Sequence, residues 1–170
     1  KLFPNANLDM PKTPFPVIEF PEVYKILEKA GHKEHKIDPE AEKILADYVK
    51  QKFKHDFFFL NRFPFEEKPF YVMKIDNDKK YARSTDMIYR GVELSSGGER
   101  EHRYEKLMEN LKEKKMNPKL VNWFTDFFKF GACSHGGFCI GIERITMQIL
   151  GLENIREAVL FPRDPERLTP

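Results

Sequence analysis

The chain has 170 residues, 41% hydrophobic and 33% charged, with a net charge of +2. That balance describes one soluble globular domain with a sizeable core. It excludes a disordered chain and gives no strongly basic field for nucleic acid.

In chain order, residues 1–20 carry Pro4, Pro11, Pro14 and Pro16 and read as an extended lead-in to a domain over 21–170. Pro21 through Ala30 predicts a short helix with Val23, Ile26 and Leu27 on one face. Asp38-Pro39 caps a longer helix over about 39–53, with Ile44, Leu45, Tyr48 and Val49 inward. Phe57 to Leu60 and Phe70 to Ile75 predict buried strands, separated by a loop that Pro64 and Pro69 impose. Residues 83–100 predict two strands joined at Arg90-Gly91. Tyr104 to Lys114 predicts an amphipathic helix, and Pro118 opens another containing Leu120, Val121, Phe124, Phe127 and Phe128. After a loop over 131–137 come a glycine-patterned strand and its helix, to about 149. A helical turn near Glu153–Arg156 and a buried strand at Ala158–Phe161 close the pattern. Sixteen Phe and six Tyr suit a packed sheet. The mixture without strict βαβ alternation predicts an α+β fold, a largely antiparallel sheet flanked by helices.

Cys133 and Cys139 are the two cysteines, too few for a disulfide-built fold or a zinc knuckle. The pair His32 and His35 sits in a polar loop without further ligands and reads as surface histidines. No apolar run approaches the ~18 residues of a membrane span. There is no secretory pattern, so the cytoplasm is the default setting.

The chemistry concentrates in two stretches. In Ser84–His102, a tight turn at Arg90-Gly91 pairs Tyr89 with Val92, Ile88 with Glu93 and Asp86 with Ser95. Asp86 and Glu93 then become diagonal neighbours on one face, roughly 7–8 Å apart at the backbone. Two such carboxylates either hold a hard dication bridging phosphates or are solvated acids on an exposed face. Gly97-Gly98 lets the strand bend so that Arg100, suited to gripping a carboxylate, returns towards the same place. In the second stretch, Gly137-Phe-Cys-Ile-Gly141-Ile-Glu-Arg144, glycines let a flat ligand lie on backbone. A helix then opens with an arginine in its first turn, where anions are favoured. His135 precedes this strand, either as a substrate contact or as a loop cap. Cys139 has no evident base and reads as packing. No Ser–His–Asp triad or cysteine nucleophile is present.

Together, Lys68-Pro-Phe-Tyr71, Arg90-Gly-Val-Glu93-Leu-Ser-Ser96-Gly-Gly, Ser134-His-Gly-Gly137, Gly141-Ile-Glu-Arg144 and Leu160-Phe-Pro-Arg-Asp-Pro165 closely resemble the aspartyl-tRNA synthetases of archaeal and eukaryotic cytosolic type. The resemblance covers the C-terminal half of their class II catalytic domain, from about Phe20 to Pro170. It implies ATP-dependent activation of aspartate and its transfer to tRNA(Asp), with tRNA(Asn) as a further candidate. It implies Glu93 as the ATP and Mg²⁺ ligand with Asp86 beside it, and Ser96 shared between metal and aspartate. Arg100 and His135 would contact aspartate. Gly141, Ile142, Glu143 and Arg144 would line ATP, with Arg144 on its γ-phosphate. Glu93 and Arg144 would carry catalysis.

Four positions depart from the family: Cys139 for a usual Gly, Glu99 for a common Gln, and Cys133-Ser134 for Pro-Pro. No segment resembles the family's anticodon-binding barrel, dimer-interface helix or ATP-binding hairpin, so the chain reads as part of a larger polypeptide, homodimeric when complete. The alternatives are an asparaginyl-tRNA synthetase or asparagine-synthetase-like paralogue, and a non-catalytic synthetase-like module.

Overall fold

The computed structural model of the chain describes residues 6, 11–34 and 36–168; the first part of the proline-rich lead-in, with Pro4, and His35 lie outside them. Five strands form one sheet in the order β1-β2-β5-β6-β7: β1 (Val17–Glu19), β2 (Phe57–Asn61), β5 (Ser84–Tyr89), β6 (Val92–Arg100) and β7 (His135–Ile140). β1 runs parallel to β2, and every other pair is antiparallel. The end of the lead-in is thus a strand, because the Phe59 N–H reaches the Pro16 carbonyl and fixes the chain beside β2. A separate ribbon joins β3 (Lys74–Ile75) to β4 (Asp78–Ala82).

Helices α1 (Glu22–Lys29) and α2 (Pro39–Phe53) cover one face of the sheet. Val23, Ile26 and Leu27 from α1 and Ala41, Leu45 and Val49 from α2 meet Ile18, Phe58, Leu60 and Ile88 from the strands. The strand residues alternate, as a half-covered sheet requires. Burying a side chain such as Phe58 contributes about 1.5–3 kcal/mol. The start of α2 follows its sequence signal: Asp38 accepts the Ala41 N–H at 2.7 Å, and Pro39 occupies the first turn.

The β5–β6 turn places both Arg90 (φ 49°) and Gly91 (φ 75°) in left-handed backbone. The cost at Arg90, about 1–2 kcal/mol, is offset by its N–H bond to the Asp56 carbonyl and its guanidinium over the Tyr89 ring. Gly91 also packs closely on α2, since a Cβ there would stand 3.2 Å from the Lys43 Cα and force it to give by a few tenths of an ångström.

Helix α3 (Tyr104–Glu113) buries Leu107 and Leu111 and fastens the loop before β3. Asn110 donates to the Phe70 carbonyl, and Lys114 to those of Phe65 and Glu66. Within that loop the expected 70–75 strand shrinks to β3. Its earlier part makes one bridge, Val72 to Arg100, where β5 has already ended.

Two further expectations fail where the described residues cover only part of the apolar side chains: after Pro118, Phe124 packs on Phe70 and Phe128 on His135, and the rest find no partner surface. The helix after Pro118 breaks into a 3-10 turn (Pro118–Leu120), α4 (Asn122–Thr125) and a second 3-10 turn (Asp126–Phe130). Trp123, Phe127 and Phe130 are exposed there. Ala158–Phe161 is not a strand but the end of a 3-10 turn (Ile155–Ala158) and an irregular exit, with Leu160 85% exposed. Helix α5 (Ile142–Leu150) follows β7 as expected, with no fully buried residue. Among the described residues no helix is long and apolar enough to cross a membrane.

Gly97-Gly98 does not bend β6, which keeps its register with β7 through to Arg100. The glycines allow close approach instead. A Cβ on Gly98 would lie 2.7 Å from the Arg83 carbonyl oxygen and 3.1 Å from the Ser84 Cα, both backbone atoms. Gly98→Ala is therefore expected to cost about 1–3 kcal/mol by overpacking, read as a lower urea midpoint; an unchanged midpoint would show that the strands can part freely. A second expectation concerns Asp38, whose carboxyl the Ala41 N–H holds below its ordinary value. A depressed acid stabilises the fold fully above its unfolded pKa of about 4, and this is lost as pH falls through the folded value. Asp38→Ala should lower Tm at neutral pH, and the gap to the parent should close as the pH drops below that range.

Candidate active site

Strand β6 carries the central groups, and its register decides where they point. Tyr89 pairs with Val92 and Ile88 with Glu93, as the turn predicts, but Asp86 stands opposite Ser96 rather than Ser95. A bulge at Leu94 inserts one residue between these pairs. Glu93 and Ser96, three apart and so on opposite faces of a regular strand, thereby share a face with Asp86. The Ser96 hydroxyl donates to Asp86 Oδ1 at 2.5 Å.

Lys68 completes the junction. Its ammonium donates to Asp86 Oδ2 at 2.8 Å and lies 3.5 Å from the centre of the Phe63 ring. The Lys68 and Asp86 side chains are only 13% and 7% exposed. Lys68 lines two cavities. One, of about 160 Å³, is walled by four carboxylates: Glu42, Glu67, Asp86 and Glu93. The other, of about 350 Å³, runs along β6 and β7 past Tyr71, Ser96, Arg100, Gly137 and Cys139.

In the acid-walled cavity, the Glu42 carboxylate of α2 accepts the Glu93 N–H at 3.2 Å. Burial pushes the Glu42 carboxyl above its ordinary value; the Glu93 N–H opposes this, and the charge of Glu93 adds to it. Burial likewise raises Glu67, which accepts the Tyr24 hydroxyl at 2.9 Å. Arg144, in the first turn of α5, folds back so that Nη1 donates to the Glu93 carbonyl at 2.6 Å and lies 3.4 Å from its Oε1. Gly141 makes room for that path, since a Cβ there would stand 3.3 Å from Arg144 Cδ. The Gly141 N–H donates to Leu94 O, while Ile142 and Glu143 are exposed at the strand–helix junction.

At the other end of the open cleft, Arg100 and His135 are paired across β6 and β7. The Arg100 guanidinium lies over Gly137, with Nη2 3.2 Å from where a Cβ would be. His135 serves as a loop cap: Nδ1 donates to the Cys133 carbonyl at 3.0 Å and the ring stacks on Phe128. That bond puts the proton of a neutral ring on Nδ1 and leaves Nε2 as acceptor. Glu99 points away from Arg100 to the opposite face, held by Arg83 at 2.8 Å and Ser134 at 3.1 Å. Arg83 keeps the Glu99 carboxyl below its ordinary value. Cys139, read as packing, is instead an exposed free thiol opposite Ser96 in the cleft.

The structure brings together Asp86, Glu93, Ser96 and Arg144, and sets Arg100 and His135 further along the same strands. The roles of Lys68, Glu42 and Glu67 carry no local signal. Glu42 flanks the Ala41–Leu45 stripe of α2 and could have been found only by knowing what that helix packs against. Among the described residues no three His, Cys, Asp or Glu side chains converge to hold a metal by themselves. Both Asp86 oxygens are engaged, which leaves the Glu93 carboxylate and Ser96 oxygen as hard donors. That set fits Mg²⁺ arriving with phosphates, because this ion keeps its waters and needs only one or two carboxylates.

Comparison with known proteins places the chain among known relatives. The chain is 44% identical over 169 residues to the aspartate–tRNA(Asp) ligase of Thermococcus kodakarensis, covering 98% of this chain and 39% of that protein. The structure of aspartyl tRNA synthetase from Entamoeba histolytica superposes with a TM-score of 0.89 at 38% identity, over 95% of this chain and 34% of its own. Asparaginyl-tRNA synthetase from Pyrococcus horikoshii gives 0.84 at 33% identity, over 94% and 38%. The chain thus spans well under half the length of each. The family model described as tRNA synthetases class II (D, K and N) matches residues 2–165, and with these identities the chain belongs to that family.

Proposed function

We propose that this chain forms the aspartate- and phosphate-binding part of an aspartate–tRNA ligase, which activates aspartate with ATP and passes it to tRNA(Asp). One observation carries the reading. A single strand, β6, presents a carboxylate and hydroxyl at one end and a guanidinium at the other, along two cavities that share Lys68 as a wall. Arg100 is the cation for the aspartate side chain, a match that an uncharged asparagine amide would not exploit. Neutral His135 offers Nε2 to the substrate ammonium.

Activation is in-line attack by the aspartate α-carboxylate on the α-phosphate, with pyrophosphate leaving. The attacking oxygen carries no proton, so no general base is needed, and the site works by positioning and charge compensation. Arg144 binds the terminal phosphate, at the helix end where anions are favoured. Glu93 and Ser96 would hold Mg²⁺, which when bound supplies positive charge to the triphosphate. Lys68 neutralises Asp86 so that the acid pocket does not repel the incoming nucleotide. The setting is the cytoplasm, where both thiols stay reduced.

The test is ATP–pyrophosphate exchange with aspartate or asparagine, using the full polypeptide that bears this chain. Aspartate should support exchange and asparagine should not; the reverse would assign an asparaginyl enzyme, and neither would assign a binding module. Arg100→Leu should lower kcat/KM for aspartate roughly 10²-fold or more, and Arg144→Ala should raise KM for ATP roughly tenfold. Unchanged aspartate saturation in Arg100→Leu would refute the specificity assignment.

A further inference from the structure

Glu93 lies beyond the last β6–β7 pair, Ser95 with Ile140. Its outward backbone groups therefore have no strand to bond. Two side chains from distant elements take that place: Glu42 of α2 accepts the N–H, and Arg144 of α5 donates to the C=O. Helix α2 is itself seated against this hairpin, because Gly91 packs closely on the Lys43 backbone, where a Cβ would stand 3.2 Å from the Lys43 Cα. The clamp thus has two independent contacts, one steric at the turn and one polar at Glu93.

Placing a carboxylate there is costly. It stands in a cavity already walled by Asp86, Glu67 and Glu93, with Lys68 and Arg144 as the facing cations. An apolar residue on α2 could pack without that repulsion but would offer no acceptor, so the hydrogen bond to the Glu93 N–H is what the position supplies. We propose that Glu42 is a positioning residue for the phosphate and metal site, acting through the Glu93 backbone to hold the Glu93 carboxylate on the cleft face of the bulge. The inference rests on the reading of Glu93 as a metal–nucleotide ligand.

The experiment is Mn²⁺ binding in the presence of ATP, followed by electron paramagnetic resonance on the full polypeptide, with hydrogen exchange of the Glu93 amide alongside. Glu42→Ala removes the acceptor and should weaken Mn²⁺–ATP binding about tenfold and deprotect the Glu93 N–H, while KM for aspartate stays within about twofold. Glu42→Gln keeps an acceptor without charge and should retain both protection and affinity, within about twofold. Glu93→Ala is the reference. If Glu93→Ala weakens binding and Glu42→Ala does not, the positioning role is wrong and the site reading survives. If Glu93→Ala has no effect, the site reading fails and takes the inference with it. Should Glu42→Ala not fold, the Gln variant decides alone: a tenfold loss of affinity, or loss of Glu93 protection, overturns the proposal.

Discussion

Lys68 and Asp86 form a nearly buried ion pair, and the geometry of both cavities depends on it. Removing one member of such a pair strands an unpaired charge in a poor solvent, at a cost of about 3–5 kcal/mol. Here the penalty is contained on every side. Ser96 takes the second Asp86 oxygen, and the Phe63 ring lies under the ammonium. The pair also joins three pieces of chain: the 65–70 loop, β5 and, through Ser96, β6. Because α3 grips that loop through Asn110 and Lys114, the helix that touches neither cavity still fixes where the lysine stands.

The parts of the fold that could be read from sequence are those whose partners lie nearby in the chain or whose periodicity is filled by a partner in the structure. Asp38 and Pro39 announce the start of α2 by local capping chemistry, and the stripe of Ala41, Leu45 and Val49 finds β2 and β5 to cover. Leu120, Phe124 and Phe127 carry an equally clear helical spacing, yet only Phe124 finds aromatic partners, Leu120 and Phe127 stay exposed, and the segment breaks into short turns. Periodicity reports a demand for burial; it does not report whether a covering surface exists. Leu160 and Phe161 fail as a strand for the same reason. Val17–Glu19 is the converse: nothing in three residues beside prolines signals a strand, and only pairing with β2 makes one.

The site divides along a similar line. Arg100, Glu93, Ser96 and Arg144 stand in motifs whose spacing and family resemblance give them away. Glu42 stands in none of them, and Lys68 opens a motif that gives it no role, since what the two do exists only across contacts 51 and 18 residues apart in sequence. A glutamate early in a helix reads as a dipole partner, and a lysine between prolines reads as surface. Glu99 shows the limit from the other side. Adjacent to Arg100, it might be feared as a misplaced charge, but strand alternation alone sends it across the sheet to Arg83 and Ser134.

The bulge at Leu94 explains why a regular hairpin reading could not have built this site. From Arg100 back through Gly98 to Ser96, steps of two keep one face towards the cleft. Another regular step would reach Leu94, placing a buried apolar residue on the cleft face and turning Glu93 to the opposite one. One extra residue inverts the parity, so Leu94 leaves the cleft and Glu93 enters it. On the other edge of β6 the ladder with β7 begins only at Ser95, so the outward backbone groups of Glu93 are satisfied from outside the sheet. Arg144 and Glu42 meet that need at Glu93. The same two bonds that repair the strand therefore bring a guanidinium and a helix to the place where the triphosphate would lie, and repairing the ladder and building the binding site become one physical requirement.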